Sequence, residues 1–429
     1  MPIKSYILDS YLYYLSEKMK ISDRDNWEAL SNILETFFDK KTISELSKKF
    51  PNTTQTKKGP RNSTKSTDLL NSRIIGEPNV GQSVDFIITK AEAELSGEYL
   101  SLLLSKLGNY CIDTGKFTAA VYIFEKLVAA TRGKGTSNKV TADSLLSLGD
   151  IFSRQALWGI SFNYISEAYN VYRKLESNEG CADCENILGS IHGELGNLKQ
   201  AHIHYEKALL LLKNKKKFST KRKIEINLGI IHNILGNYEQ ALKYFKKALV
   251  KFNYLKDLKR IAEINHNLGM LHSKMHNYRL AMKGFDKSIH LSSKGKFLPT
   301  LGISYLGKAV VYAIHEDYEL SSLFAERALD ICSKINDKLS IADIYKVKGI
   351  IHRDTKNYKL AENYLATSLR INTELKNELN KAETEFELGL LYKYMDMESD
   401  SKSYFKRAKK YFTKAGALKE VKEIERMLN

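Results

Sequence analysis

Downstream of residue 100 the apolar residues recur three and four positions apart, the spacing that gathers side chains on one face of an α-helix. A Leu-Gly pair punctuates this pattern at Leu107-Gly108, Leu148-Gly149, Leu188-Gly189, Leu228-Gly229, Leu268-Gly269 and Leu388-Gly389. Gly349 follows Lys348 in the same phase, and Ala309 stands where the series would place its missing glycine. The first step between anchors is 41 residues and every later one is 40, so the chain is an internal repeat.

Each anchor is followed by the same kinds of residue. Nine positions on stands a ring or Leu (Phe117, Trp158, Leu198, Tyr238, Tyr278, Tyr318, Tyr358). Twelve on stands a small residue (Ala120, Ser161, Ala201, Ala241, Ala281, Ser321, Ala361, Ser401). Sixteen on, in seven of eight repeats, stands a bulky one (Phe124, Ile165, Tyr205, Phe245, Phe285, Leu365, Phe405). Small residues at the anchor and at plus twelve let two helix backbones approach, and rings fill the angle between them. Gly196-Asn197, Gly236-Asn237, His276-Asn277 and Lys356-Asn357 mark the turn between the helices, since Gly and Asn tolerate the left-handed backbone that ends a helix. One such hairpin cannot bury its apolar face alone, so the pattern predicts hairpins stacked into a solenoid.

These residues resemble the tetratricopeptide repeat (TPR): Leu-Gly, a ring at plus three, a small residue at plus twelve, an aromatic at plus sixteen and Ala at plus nineteen. The usual period is 34 and here it is 40, and the Pro that usually closes each repeat is absent. In that respect the chain is similar to the Pins/LGN adaptors and to Rap-type peptide-binding regulators. The resemblance implies an all-α fold, a right-handed superhelical solenoid of antiparallel helix pairs with a small N-terminal helical segment. It implies eight repeats over 91–414 and a capping helix over 415–429, whose Leu418, Val421, Ile424 and Leu428 cover the last repeat.

Residues 1–50 lie outside the repeat and read as short amphipathic helices. Thr42 with Glu45 reads as a capping box opening the helix that carries Ile43, Leu46 and Phe50. The polar stretch 51–90, holding Gly59-Pro60 and Pro78, reads as a flexible linker. No apolar run approaches the roughly 18 residues that span a bilayer. The start lacks a signal peptide's apolar stretch, and four Cys give no disulfide framework, so a reducing cytoplasmic setting is expected.

The resemblance also implies where a partner sits, because the first helix of each TPR pair lines a concave groove. Six positions before the anchor the chain reads Asp143, Asp183, Lys223, Glu263, Ile303, Asp343 and Glu383, five acidic residues in seven. Asn227 and Asn267, at minus two, match the groove Asn that bonds ligand backbone. Asn109, Asp150, Asn186, Asn233, His266, Lys274 and Arg353 join them as groove candidates, with Asp113, Arg154, Glu194 and Lys346. The acidic row favours a protein or peptide segment carrying Lys or Arg. Asn227, Asn267, Glu263 and Lys274 form the expected centre.

The net charge of +17 is concentrated between residues 206 and 260, where 15 Lys and Arg meet 4 Asp and Glu. Lys213, Lys215, Lys216, Lys217, Lys221, Arg222 and Lys223 form a basic patch that suits an acidic partner. Few aromatics stand among them to stack bases, which disfavours nucleic acid. Cys181 and Cys184 look like half a metal site, but the register aligns them with Ile261 and Ile264, where core residues belong. His192, His232, His272 and His352 recur at plus three and read as rings packed between helices, a polar edge reaching a partner. Gly133-Lys134-Gly135-Thr136 lacks the spacing and the preceding strand of a phosphate loop. No nucleophile, base and orienter stand at a recognisable spacing, so neither an enzyme, a cofactor nor a metal is expected. The leading expectation is a scaffold or adaptor holding a partner segment. A peptide-sensing regulator whose N-terminal bundle acts on a target is the alternative, and a basic nucleic-acid-binding solenoid comes last.

Overall fold

A computed structural model describes residues 30–49, 78–131, 139–213 and 218–428. Within them the regular elements are helical: α1 Lys40–Lys49, α2 Pro78–Glu94, α3 Gly97–Asp113, α4 Phe117–Thr131, α5 Lys139–Arg154, α6 Trp158–Lys174, α7 Asn178–Glu194, α8 Leu198–Leu211, α9 Phe218–Ile234 and α10 Tyr238–Leu255. There follow α11 Leu258–Lys274, α12 Tyr278–Gly295, α13 Leu298–Ile314, α14 Tyr318–Lys334, α15 Lys338–Asp354, α16 Tyr358–Glu374, α17 Glu378–Tyr394, α18 Glu398–Ala415 and α19 Leu418–Leu428.

The chain divides into two compact units, Met1–Ile112 with Lys116–Ala130, and Asp113–Gly115 with Thr131–Asn429. In the first, Leu30, Leu34, Phe38 and Leu46 are buried, as are Val84, Ile87, Ile88 and Ala91 of α2. The hairpin of the first repeat sorts with this unit: Lys126 pairs with Glu92 at 2.8 Å, and Lys106 lies over the Phe37 ring at 5.3 Å. Two expectations change here. The stretch read as a linker over 51–90 is helical from Pro78 onward. The cap of α1 is Asp39, whose carboxylate accepts the Thr42 N–H at 2.7 Å, one turn earlier than the Thr42–Glu45 box.

The second unit is a solenoid. Helices pack as successive pairs, α5 with α6 through α17 with α18, each pair on the next, and α19 packs on α18. The anchor glycine sets the closest approach within a pair. A Cβ built on Gly149 would lie 2.5 Å from Ile165; on Gly189, 2.5 Å from Tyr205; on Gly229, 2.7 Å from Phe245. Gly269, Gly349 and Gly389 repeat the clash against Phe285, Leu365 and Phe405. Each anchor thus faces the bulky residue sixteen positions on. In the repeat where the anchor is Ala309, position plus sixteen shrinks to Ala325, and both are fully buried. Where plus twelve is Ser, its hydroxyl donates to the anchor carbonyl: Ser161 to Gly149 at 2.6 Å, Ser321 to Ala309 and Ser401 to Gly389 at 2.8 Å.

The 40-residue period has a simple origin. The joints fall every twenty residues at backbone with positive φ: Ala156, Glu176, Gly196, Gly236, Lys256, His276, Lys296, Glu316, Asn336, Lys356, Lys376, Asp396 and Gly416. Junctions within and between repeats are therefore the same turn. At His276 the Asn277 N–H reaches the His272 carbonyl at 2.8 Å and the His276 N–H reaches Ser273 at 3.0 Å, a Schellman closure. Ten of the joints described across the chain place a non-glycine residue in the left-handed region.

At the C-terminal end α19 buries Ile424 and packs Val421 and Leu428 against Phe405, Ala408 and Phe412. Leu418, expected on that face, is 69% exposed in the first turn of the helix.

Two outcomes test this packing. Gly229→Ala should lower stability by about 1–3 kcal/mol in denaturant unfolding, because Phe245 must give way. Lys356→Gly should raise it by about 1 kcal/mol, since it removes a Cβ from a left-handed position.

Candidate functional site: the first-helix face of the second unit

Successive first helices of the second unit (α5, α7, α9 and α11, then α13, α15 and α17) pack on one another, whereas successive second helices meet at most marginally. The unit therefore curves with its first helices inside. The inner face is polar and only partly buried, which leaves hydrogen-bonding groups at a concave surface.

Its centre is an amide pair. Asn227 donates to Asn186 Oδ1 at 2.9 Å and to Ser190 Oγ at 3.3 Å. That leaves the Asn227 carbonyl oxygen as a free acceptor and the Asn186 amide as a free donor. Asn267, one repeat on, is half-buried and makes no side-chain hydrogen bond among the described residues.

The acidic row is largely neutralised. Arg260 pairs with Glu263 at 2.6 Å and Arg154 with Asp150 at 2.9 Å. Lys346 sits between Asp343 and Glu383, and Asn380 also donates to Asp343 at 3.1 Å. Arg353, almost fully buried, joins Asp354 to Glu387. Asp143 accepts the Tyr172 hydroxyl at 2.5 Å. Helices far apart in sequence face each other, as the Lys259–Asp113 ion pair shows. Burial pushes the Asp150 carboxyl up, but Arg154, Lys259 and Arg260 bring it below the usual range. The same competition, won by Arg260, lowers Glu263. Burial pushes Lys223 down and Arg260 adds to the effect, while Asp183 and Glu263 oppose it.

Glu194 is the exception. No cation pairs with it among the described residues; its side chain is exposed to solvent at the surface of the concave face, yet desolvation by the surrounding walls, then Asp343 and Asp337, push its carboxyl up to about 7. Burial also raises Asp343 and Asp337. Lys274 has no ion pair of its own among the described residues and helps lower the Glu383 carboxyl, after Lys346. The concave face thus holds a protonatable acid at one point and an unpaired amine at another.

A family model described as a tetratricopeptide repeat matches residues 226–249. This stretch joins the end of α9 to the start of α10 and carries the Gly229–Phe245 contact that recurs from pair to pair. Over that stretch the chain matches a tetratricopeptide repeat, and the contact it carries recurs along the second unit. No curated protein sequence matches the chain. Among solved structures the TPR fold is similar to a Rap protein complexed with competence and sporulation factor, at 10% identity and a TM-score of 0.54, covering 76% of this chain and 96% of that one. It is similar to the Rap conjugation gene regulator of plasmid pLS20 in complex with the Phr* peptide, at 16% identity and a TM-score of 0.54, covering 87% and 96%. The Cut9–Hcn1 structure of the APC/C matches at 16% identity and a TM-score of 0.51, covering 81% of this chain and 59% of that one.

The other candidates are dispersed over the chain. Asn109 stands in the first unit and bonds the Ser105 carbonyl of its own helix. Asn233 is buried, its side-chain oxygen without a partner. Asp183 is half-buried and partnered. The basic patch is described only in part. Lys215, Lys216 and Lys217 lie outside the described residues, as does the Gly133–Thr136 stretch. Arg222 is tied to Glu225, which Lys247 also approaches at 3.3 Å, and Lys223 belongs with the concave charges. Cys181 and Cys184 are buried free thiols in the core, as their register requires. Among the described residues no three His, Cys, Asp or Glu are grouped to hold a metal, and no helix is long and apolar enough to cross a membrane.

The ring at plus three stacks on the ring of the second helix: Phe152 on Tyr164 at 5.5 Å, His192 on His204 at 5.0 Å, His232 on Tyr244 at 5.7 Å and His352 on Tyr364 at 5.3 Å. Nδ1 of His192, His232, His272 and His352 is buried and makes no hydrogen bond among the described residues. The contributors missed by the groove positions are Arg260 and Asp337. Both stand near the start of a first helix, and Asp337 caps α15 by accepting the Ser340 N–H at 3.1 Å.

His266 provides a pH test. Burial holds its imidazole down to about 4, and Ser304 is its neighbour at 3.4 Å. The folded state then binds fewer protons than the unfolded one between pH 6.5 and about 4. Stability from this residue is complete above that window and is lost as the pH falls through it. The Tm of His266→Phe should therefore gain on wild type as the pH drops from about 6.5 to 4; a constant difference would contradict the assignment.

Proposed function

We propose that this chain is an interaction module that holds an extended peptide, or a peptide-like segment of a protein, against its first-helix face. The observation that carries the reading is the Asn186–Asn227 pair with Asn267 beside it. A free amide donor, a free amide acceptor and an uncommitted carboxamide stand on neighbouring first helices. An extended main chain offers alternating C=O and N–H groups, and such side chains bond both without demanding a particular side chain. Two structures of similar fold were solved in complex with competence and sporulation factor and with the Phr* peptide, which supports this class of ligand. The contacts hold rather than transform, so the role is binding and not catalysis.

The charges set the preference. With the acidic row already paired, the unpaired Glu194 and Lys274 select a segment of mixed charge, its Lys, Arg or amino terminus near Glu194 and a carboxylate near Lys274. This refines the expectation of a simply basic ligand. A second reading, a peptide-sensing regulator, rests on the division of the chain: the N-terminal helices and the first hairpin form a separate unit that a target could engage. No partner at the basic patch is proposed.

Peptides selected from a random display library on the full chain provide the test. Asn267→Ala should weaken the selected peptides about tenfold without moving Tm, because its amide supports nothing else. Unchanged affinity would sink the reading. Peptides with an amino group near Glu194 should bind more tightly as the pH rises through about 7, where that carboxyl ionises.

A further inference from the structure

The solenoid of the second unit closes on itself at a seam where segments some 215 residues apart touch. The Tyr411 hydroxyl donates to the Gly196 carbonyl at 3.0 Å, and Trp158 Nε1 donates to the Leu375 carbonyl at 2.7 Å. The approach is so close that a Cβ on Gly196 would lie 2.9 Å from the Leu379 nitrogen. Beside these bonds lies an open cleft of about 780 Å³, its walls formed by the first turn of α8 on one side and by α17 and α18 on the other.

The cleft is cationic on both walls. Lys199 stands on the α8 side, and Lys381, Arg407, Lys410 and Lys414 stand opposite; the only carboxylates in the lining are Glu378 and Glu385. Lys381 reaches Glu378 at 3.5 Å, while Lys199, Arg407, Lys410 and Lys414 have no ion pair among the described residues. Two lysines of the same helix away from the cleft are paired, Lys402 with Glu398 at 2.6 Å and Lys409 with Glu425 at 2.8 Å, while Lys406 has no ion pair among the described residues and lies outside the lining. Three of the four cations of α18 without an ion pair among the described residues thus line a concave place where two distant segments meet. Leu198, Leu369 and Ala382 give that place an apolar floor.

We propose that this seam cleft binds an oligophosphate anion, free or carried by a nucleotide, and that the anion holds the two walls together. The volume is in the range of small-ligand sites. Cations without an ion pair on both walls, three ammonium groups and one guanidinium, are suited to several phosphate charges. Cations facing each other across the cleft repel, and an anion between them turns that repulsion into a bridge. Binding at the seam would then stabilise the closed solenoid by mass action. The cleft uses none of the residues assigned to peptide binding, so the two proposals fail separately.

The test is calorimetric titration and thermal unfolding of the full chain at low salt with inorganic tripolyphosphate and with ATP. At least one should bind and raise Tm. Equal affinity would assign the site to the phosphate chain, and tighter ATP binding to a nucleotide; either supports the proposal. Lys410→Glu with Lys414→Glu should weaken binding at least tenfold, and the Tm of the unliganded protein should not fall, since only repulsion is removed. Lys402→Glu with Lys409→Glu makes the same change of charge on the same helix away from the cleft and should bind within about threefold of wild type. No binding of either anion, or equal loss in both double variants, would overturn the proposal.

Discussion

The structure of the second unit depends on one steric constraint, the contact between an anchor without a side chain and a bulky residue sixteen positions later on the partner helix. Gly229 against Phe245 and Gly389 against Phe405 show the form it takes. The exception proves that the constraint is on volume and not on glycine itself. With Ala309 at the anchor, Ala325 replaces the bulky partner, and Phe324 next to it stacks on Tyr312 at 5.4 Å. Because helix spacing is fixed at the same point in each pair, the pairs stack in one register, and the first helices are brought together along one face.

That register made much of the fold legible. Leu-Gly spacing, small residues at plus twelve and bulky ones at plus sixteen act locally, so a single sequence displays them. It also placed Cys181 and Cys184 in the core against the pull of a metal motif. The twenty-residue beat of the joints was only half visible. Gly196 and Gly236 announce a left-handed turn, but Glu176, Lys256 and Asn336 take the same conformation with ordinary side chains, held there by the helices on either side. The start of α2 lies hidden within a polar stretch for a related reason: composition reports solvation, and a helix needs only one good face.

The site was legible as a row of positions but not as a charge pattern. Acidic residues six before the anchor are evident in the sequence, whereas their partners come from other repeats or from the helix start. Lys346 reaches Glu383 across a repeat, and Lys259 meets Asp113 across most of four. Those meetings depend on curvature, which no local spacing encodes. Once pairing is known, the row loses its strong negative character, and the uncommitted groups (Asn186, Asn227, Asn267, Glu194 and Lys274) describe the surface better than its net charge does.

The central claim is that the first-helix face, and not the outer face, holds the partner. Hydrogen–deuterium exchange of the full chain with and without a selected peptide measures this directly. The account predicts slowed exchange in α7, α9 and α11, with the exposed second helices α8, α10 and α12 unchanged. Protection confined to the second helices, or absent at a peptide concentration that saturates binding, would contradict it.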